Sequence, residues 1–184
     1  MNAPASSFAP GLLVETSAAR VSVAAPCGRL SLRARGDLSP FVTPLGLTLP
    51  TQIGERAASG AVEAICLGPD EWMIHAAEDR IGAIEAACTA LYENHPHSLV
   101  DVSGRETTFV IDGPRAAELL TLGCPRDLER LKYGEGRRTV FDGATVILWR
   151  DADNTFRMDV WHSFAPYLFH LLDTGCRELA AETA

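Results

Sequence analysis

The chain has 184 residues; 47% of them are hydrophobic, 22% are charged, and the formal net charge at pH 7 is −8. A chain of this length and composition buries enough apolar surface to fold without metal or disulfide staples, which excludes global disorder. Its acidic field repels phosphate backbones, so DNA and RNA are excluded as expected partners.

The N-terminal segment, the apolar runs and the cysteines indicate in which cellular compartment the chain is expected. The N-terminal segment lacks a basic start followed by an apolar run, so no secretory signal is predicted. The sequence has no stretch of about 18 consecutive apolar residues, so it predicts no transmembrane helix. The cysteines stand far apart, without a Cys-x-x-Cys pair, at Cys27, Cys66, Cys88, Cys124 and Cys176. We therefore expect buried free thiols in a reducing cytoplasm, not a zinc knuckle or a disulfide framework.

The predicted elements begin after a loose N-terminal arm. Residues 1–11 are rich in Ala, Pro and Ser and have no periodicity, whereas residues 12–184 are predicted to form a single domain. Alternating apolar and charged side chains over residues 29–35 predict a strand. A short helix or irregular segment follows over residues 38–45, where prolines break any longer helix.

The middle of the chain predicts a hairpin and then a helix. Two apolar segments, residues 62–68 and 71–76, are divided by Gly68-Pro69-Asp70, which suits a tight turn. Apolar residues at helical spacing over residues 79–92 predict an amphipathic helix that covers a sheet.

A second strand pair with a following helix is predicted next. Strands over residues 98–103 and 106–111 are expected to turn at Gly104. The helix places Pro114 at its first position and ends at Gly123, because Pro125 prevents its continuation.

The C-terminal part predicts a further hairpin and the last helix. Residues 144–149 form an apolar run, and residues 155–161 alternate. The alternation faces Phe156, Met158 and Val160 inward and Arg157 and Asp159 outward. Ser163 is the expected N-cap of the helix, with Pro166 in its first turn. Its expected apolar stripe comprises Phe164, Tyr167, Leu168, Leu171, Leu172, Cys176 and Leu179. The whole pattern predicts an α+β fold, with an antiparallel or mixed sheet and helices packed on one face.

Three local patterns could carry chemistry, and each also has a structural explanation. His95 and His97 form a close pair, but a zinc site needs three or four protein ligands, so we favour a solvated loop. Ser103 lacks the Gly-x-Ser-x-Gly turn that exposes a hydrolase nucleophile. Residues 133–137, Tyr-Gly-Glu-Gly-Arg, lack the strand and helix that flank a dinucleotide loop, so we favour a surface turn.

Carboxylates cluster in sequence around the predicted turn at Gly104. Asp101, Glu106 and Asp112 flank it, together with Arg105. Paired carboxylates perform acid–base chemistry when burial separates their pKa values. We favour the alternative of a charged hairpin rim that contacts water or a neighbouring subunit.

Several motifs in chain order carry a family resemblance. They are Leu67-Gly-Pro-Asp-Glu-Trp72, Asp101-Val-Ser103, the Gly113-Pro114 helix start, Gly123-Cys-Pro-Arg-Asp-Leu128 and Ser163-Phe-Ala-Pro-Tyr167. Together they resemble the gamma subunit of heterotetrameric sarcosine oxidase, over most of the chain from about Leu30 to Leu172. The resemblance implies a fold similar to part of the folate-binding aminomethyltransferase domain of the glycine cleavage system.

The resemblance also implies a function. The family's complex of alpha, beta, gamma and delta subunits oxidatively demethylates sarcosine to glycine, passes the one-carbon unit to tetrahydrofolate and passes electrons to oxygen, giving hydrogen peroxide. FAD, FMN and NAD are expected in the alpha and beta subunits and zinc in the delta subunit. No catalytic, cofactor-binding or metal-binding residue is predicted in this chain, which is expected to be inactive alone. The alternative is a stand-alone module for folate binding or one-carbon transfer; a hydrolase using Ser103 is a remote third hypothesis.

A small set of residues is predicted to form the subunit interface. The chain has three tryptophans, Trp72, Trp149 and Trp161, in or beside predicted strands, where each serves as core or interface. Interface hot spots favour Trp, Tyr and Arg. The predicted interface residues, chosen at turns and sheet edges, are Asp70, Glu71, Trp72, Arg105 and Trp161.

Overall fold

The computed structural model describes residues 8–182. Its strands and helices, in chain order, are β1 (Gly11–Glu15), β2 (Arg20–Val23), β3 (Gly28–Ala34), α1 (Val42–Leu45), β4 (Arg56–Ser59), β5 (Val62–Gly68), β6 (Glu71–Ala76), α2 (Ile81–Thr89), β7 (His97–Asp101), β8 (Glu106–Asp112), α3 (Ala116–Thr121), β9 (Gly136–Phe141), β10 (Ala144–Ala152), β11 (Thr155–Trp161) and α4 (Ala165–Ala181). Two compact units divide the chain. The first unit joins the chain up to Ala25 with the segment from Gly104 onward, and the second runs from Pro26 to Ser103.

The predicted N-terminal arm, residues 1–11, falls mostly on residues 1–7, which lie outside the described residues. In the described part, Phe8 packs edge-on against Phe109 and Phe169, with ring centroids 5.7 and 5.4 Å apart. Gly11 already begins β1. The loose arm and the single domain over residues 12–184 both stay predictions.

The first unit is a six-stranded antiparallel sheet with α3 and α4 on one face. The strand order is β1-β2-β8-β11-β10-β9. We call the face toward α3 and α4 the helix face and the opposite one the outer face. Along β11, Phe156, Met158 and Val160 are fully buried on the helix face, in the core with the helix residues Leu120 and Leu168. The core therefore uses alternate strand residues and one stripe of each helix.

Helices α3 and α4 approach each other closely at a glycine. A Cβ at Gly175 would lie 2.4 Å from Leu122 Cδ1 and 2.7 Å from Leu119 Cδ1, so only glycine fits without displacing both leucines. Arg115, just before α3, donates from Nη1 to the carbonyl oxygen of Leu179 at 2.5 Å. Its Nη2 also contacts Glu118 and Glu182 at 2.6 Å. The start of α3 is thereby tied to the end of α4.

The second unit is a five-stranded antiparallel sheet in the order β4-β5-β6-β3-β7. Its core joins Leu30, Leu32 and Ile74 of the sheet to Leu45 of α1 and Ile84 of α2. Both units have strands in antiparallel pairs with helices against one face. This confirms the predicted α+β fold with helices packed on one face of the sheet.

Several local predictions are confirmed. β5 and β6 form the hairpin predicted around residues 68–70, and β10 and β11 form the one predicted around residues 151–154. A helix forms over Ile81–Thr89, within the predicted 79–92, and a single helical turn over Val42–Leu45. Strands β1, β2, β4 and β9 were not predicted.

The hairpin predicted around Gly104 is wrong. β7 pairs with β3 in the second unit, whereas β8 pairs with β2 and β11 in the first. Between them lies a 3-10 turn, Ser103–Arg105, where the chain leaves one unit for the other. The alternation along each segment predicts a strand, but it does not define which strand is its partner.

Two predicted helix starts are displaced. α3 begins at Ala116, so Pro114 lies in the preceding turn and is not the first helical residue. α4 begins at Ala165 with Phe164 as its N-cap, so Ser163 is not the cap. Pro166 lies in the first turn of α4, as predicted, where a missing backbone donor costs no hydrogen bond.

Candidate functional site

Three of the five predicted interface residues lie in the second unit, at the β5–β6 hairpin. Asp70 and Glu71 form ion pairs with β3 and its extension: Arg33 contacts Asp70 at 3.4 Å and Glu71 at 3.0 Å, and Arg35 contacts Asp70 at 2.7 Å. Trp72 is 2% exposed and donates from Nε1 to the carbonyl oxygen of Pro50 at 2.7 Å. The structure therefore uses Trp72 in the core, while Asp70 and Glu71 remain at a charged surface.

The other two, Arg105 and Trp161, meet in the first unit. The Arg105 guanidinium lies 5.6 Å from the centroid of the Trp161 ring, within the range of a cation–π contact. Its Nη2 is also 2.7 Å from Glu106 Oε1. The Arg105 side chain is 36% exposed and that of Glu106 only 4%, so the pair presents its cation and hides its carboxylate.

A row of residues crosses four strands of the outer face beside this pair. The register aligns Thr108 of β8 with Asp159 of β11, Asp159 with Ile147 of β10, and Ile147 with Arg138 of β9. Phe109, Val146, Leu148 and Met158, which adjoin Thr108, Ile147 and Asp159 along the strands, belong to the helix-face core, so those three side chains lie on the outer face. Arg138 lies on the same face because it is directly opposite Ile147 in the register.

Asp159 is the buried polar centre of that row. The alternation correctly predicted that Asp159 faces away from the helix-face core, but the residue is nevertheless only 1% exposed. Trp149 donates from Nε1 to its Oδ2 at 2.6 Å, and the Thr108 hydroxyl donates to its Oδ1. Hydrogen bonds of this kind offset the cost of removing a carboxylate from water.

A cavity of about 270 Å³, open to solvent, lies beside Asp159, and we call it the outer pocket. Arg105, Glu106, Arg138, Ile147, Asp159 and Trp161 are among the residues that line it. Arg138 and Trp161 are exposed at the surface, whereas Ile147 and Asp159 are buried. The outer pocket thus has an apolar and acidic interior, with guanidinium groups and an indole toward solvent.

Three aromatic side chains lie exposed where β11 leads into α4. Trp161, Phe164 and Tyr167, which we call the aromatic corner, are 49%, 45% and 54% exposed. The prediction that Phe164 and Tyr167 join the apolar stripe of α4 is therefore wrong. The helix buries Ala165, Leu168 and Leu172, so its period turns Tyr167 away from the core. Phe164 is the N-cap and lies outside the helix, so the helical stripe does not include it.

Tyr167 is held in place by the β9–β10 hairpin. Its hydroxyl donates to Asp142 Oδ2, and this hydrogen bond to a carboxylate raises the pKa of Tyr167. Asp142 has a φ of 44°, a left-handed conformation that aspartate tolerates in tight hairpin turns. The aromatic corner is thereby linked to the turn between two strands of the same sheet.

The carboxylates that cluster in sequence near Gly104 are separated in space. Glu106 and Asp112 lie at opposite ends of β8, six residues and roughly 20 Å apart. Asp112 forms an ion pair with Arg20 of β2 at 3.1 Å. Asp101 belongs to the second unit, where its Oδ1 accepts hydrogen bonds from the Ser103 backbone N–H at 2.9 Å and hydroxyl at 2.5 Å. The structure therefore places the three carboxylates apart, and the predicted charged rim, like the hairpin itself, does not form.

The other candidate groups also have structural roles. The Ser103 hydroxyl accepts a hydrogen bond from the Arg29 backbone N–H at 2.9 Å. His97 Nδ1 lies 2.7 Å from the His95 carbonyl oxygen, and its ring packs edge-on against Phe41. Among residues 8–182, the structure brings together no group of three or more His, Cys, Asp or Glu side chains that could hold a metal ion.

Four of the five cysteines are buried and Cys27 is partly exposed. Burial raises the pKa of Cys88 to about 11, and burial also raises that of Cys176 to about 11. Both thiols are therefore protonated and poorly nucleophilic at neutral pH. Within the described part of the chain, no helix is both long and apolar enough to cross a membrane.

Sequence reasoning missed Arg138, Asp159 and Phe164 as members of a site. Asp159 lies within a predicted strand, and aspartate is depleted in strands, which is a usable signal. Arg138 and Phe164 give no comparable signal, because their position depends on the register of β9 and on where α4 begins.

The α+β fold of the chain has a counterpart among solved structures. It is similar to glycine cleavage system aminomethyltransferase T from Bartonella henselae, with a TM-score of 0.60 and 14% identity, over 79% of this chain and 43% of that one. Residues 39–178 match the family model for the sarcosine oxidase, gamma subunit family. The chain therefore belongs to the sarcosine oxidase gamma subunit family, which confirms the resemblance found in the motifs.

Individual relatives agree with this assignment. The sarcosine oxidase subunit gamma of Corynebacterium sp. (strain U-96) is 32% identical over 143 residues, which are 76% of this chain and 69% of the relative. That of Corynebacterium sp. (strain P-1) is 27% identical over 165 residues, 88% of this chain and 80% of the relative. A chain in the structure of heterotetrameric sarcosine oxidase from Corynebacterium sp. U-96, in complex with pyrrole 2-carboxylate, has a TM-score of 0.80 and 24% identity, over 92% of this chain and 89% of that one.

Proposed function

We propose that the chain is a non-catalytic subunit of a heterotetrameric complex with alpha, beta and delta subunits. The complex oxidatively demethylates sarcosine to glycine, passes the one-carbon unit to tetrahydrofolate and passes electrons to oxygen, giving hydrogen peroxide. FAD, FMN, NAD and zinc are held by the partner subunits. The observation that carries this proposal is the family match over residues 39–178, which includes parts of both compact units.

The environment of the reactive side chains supports a non-catalytic role. The Ser103 hydroxyl both donates to Asp101 and accepts from the Arg29 backbone N–H, so it serves as the cap of a turn. Burial raises the pKa values of Cys88 and Cys176 far above neutral pH, which removes the thiolate that a cysteine nucleophile needs. These three side chains thus have structural roles.

Co-expression with the alpha, beta and delta subunits tests the proposal. We expect the chain to co-elute with them in size-exclusion chromatography, and sarcosine-dependent release of hydrogen peroxide to belong to the assembled complex. The isolated 19.8 kDa chain should release none. If the chain elutes at its monomer mass while the other three assemble into fully active enzyme, the proposal is wrong.

The second candidate is a stand-alone module that binds folate or transfers one-carbon units. The observation in its favour is the likeness of fold to aminomethyltransferase T. This candidate requires saturable binding of tetrahydrofolate to the isolated, folded chain. Isothermal titration calorimetry tests it, and the first proposal expects no heat of binding beyond that of dilution.

A further inference from the structure

The first unit presents a surface with the properties of a protein-binding site. It consists of the aromatic corner, Trp161, Phe164 and Tyr167, together with the mouth of the outer pocket at Arg105 and Arg138. Large aromatic side chains and arginines dominate the binding free energy of protein interfaces. Here three half-exposed aromatic residues lie within seven positions of the chain. Their exposure costs solubility without stabilising the core, which is a reason to look for a partner.

The size of the outer pocket decides between two kinds of occupant. Pockets that enclose a cofactor or a drug-sized ligand measure roughly 300–1,000 Å³. The outer pocket measures about 270 Å³ and opens beside exposed Trp161. That volume suits one or two side chains inserted from another protein better than a cofactor. Ile147, buried in the pocket wall, supplies an apolar surface for such an anchor.

The charges at the mouth define the chemistry of the partner. The chain carries a formal charge of −8, which by itself would favour a basic partner. However, exposed charges separated by more than about 8–10 Å are largely screened at physiological salt. The charged groups nearest to the partner therefore determine which sign of charge the partner carries there. Those toward solvent are the guanidinium groups of Arg105 and Arg138, whereas the carboxylates of Glu106 and Asp159 are buried. The groups that face solvent are cationic, and Arg105 also pairs with Glu106 at 2.7 Å, so a carboxylate on the partner shares these guanidinium groups with the buried carboxylates.

We propose that this surface docks an acidic segment of a larger partner subunit. A carboxylate of that segment contacts Arg105 and Arg138, and an adjacent apolar side chain packs on Trp161 and enters the outer pocket. Phe164 and Tyr167 extend the contact along the start of α4. The inference rests on the proposed function, because the occupant is a subunit of the same complex.

Binding of the intact chain to the co-purified partner subunits tests the surface directly. We expect Trp161→Ala and Phe164→Ala each to weaken binding at least about tenfold, as truncation of hot-spot residues does. Tyr133→Ala is the matched control, because Tyr133 is a 71% exposed aromatic residue of the first unit outside the aromatic corner. It should bind within about twofold of wild type. Circular dichroism on each variant establishes that it is folded.

Charge reversal tests whether the docking segment of the partner is acidic or basic. Arg138→Glu should slow association by about tenfold at low salt and reduce the salt dependence of the rate, as expected for a charge at the rim. Arg130→Glu is the control, since Arg130 is an 87% exposed arginine of the first unit that lies outside the pocket. Faster association of Arg138→Glu would mean a basic partner and would overturn the proposal.

The remaining outcomes separate this inference from the proposed function. If the wild-type chain binds no partner subunit, both the proposed function and this inference are wrong. If wild type binds and the aromatic-corner variants bind equally well, only the inference fails. If the isolated chain forms a dimer in analytical ultracentrifugation that Trp161→Ala abolishes, the occupant is a second copy and the inference is again wrong.

Discussion

The two faces of the six-stranded sheet are built from the same strands with different chemistry. On the helix face, residues such as Phe156 and Met158 are fully buried among apolar helix residues. On the outer face, the next residue of β11 is Asp159, held by the Trp149 indole and the Thr108 hydroxyl. Successive residues of β11 therefore face an apolar core on one side and a polar centre on the other. The helix face is an apolar core, whereas the outer face combines a buried polar centre with the exposed side chains of Arg138 and Trp161.

The largest expected effect lies on the helix face. Phe156→Ala removes a fully buried ring from the core and should lower the free energy of unfolding by about 3–5 kcal/mol. Urea denaturation of the purified chain measures it. Val140→Ala, at an exposed position of β9, is the control and should change stability by less than about 0.5 kcal/mol. Equal losses in the two variants would contradict the assignment of the core to the helix face.

A smaller loss is expected at the polar centre of the outer face. Asp159→Ala deprives two buried donors, on Trp149 and Thr108, of their acceptor and should cost about 3 kcal/mol. Asp153→Ala, in the exposed β10–β11 turn, is the matched control. Urea denaturation compares the two. A cost below about 0.5 kcal/mol for Asp159→Ala would mean that the buried carboxylate is no part of what holds the outer face together.

Alkaline pH should weaken both units through their buried thiols. Burial raises the pKa of Cys88, in the second unit, and of Cys176, on α4, from 9.0 to about 11. In the unfolded chain these thiols ionise near pH 9, whereas the folded chain keeps them protonated. Their contribution to stability is therefore complete below pH 9 and is lost as the pH rises to about 11. Thermal melts between pH 8 and 11 measure the loss, which Cys88→Ala and Cys176→Ala should each reduce; unchanged slopes would contradict the predicted linkage.

The smallest effect on stability is expected at the aromatic corner. Trp161→Ala removes a half-exposed ring and its contact with Arg105, which is worth about 0.5–1 kcal/mol at an exposed site. The free energy of unfolding of the isolated chain should fall by no more than that. The same variant should lose at least about tenfold in partner binding, so the ratio of the two effects distinguishes a binding residue from a folding residue. A large loss of stability would assign Trp161 to the fold.

Sequence reasoning was most successful where a pattern is local. The β5–β6 and β10–β11 hairpins follow from short apolar segments divided by turn residues, and the family follows from short motifs, each of which is contiguous in the chain. Sequence reasoning failed where strand pairing depends on residues that are distant in the chain. Nothing in residues 98–111 reveals that β7 pairs with β3 while β8 pairs with β2, because each pairing is decided by segments far away.

The candidate site shows the same limit. Arg105 and Trp161 were predicted as interface residues separately, and the β8–β11 register, which opposes Glu106 to Trp161, brings them together. Trp72 was chosen for its size and its place beside a turn, but a tryptophan in a strand can face either way, and this one faces the core. The burial of Asp159 depends on its partners Trp149 and Thr108, which are 10 and 51 residues away in sequence.

The second unit is an insertion within the first, and this has a consequence for biosynthesis. β2 is paired with β8, so Arg20 meets Asp112 from 92 residues away. A ribosome releases β1 and β2, then every residue of the second unit, and only afterwards the strands that complete the six-stranded sheet. Since domains fold as units during synthesis, the inserted unit is able to fold first. Strand β2 pairs with β8 only after β8 has been synthesised.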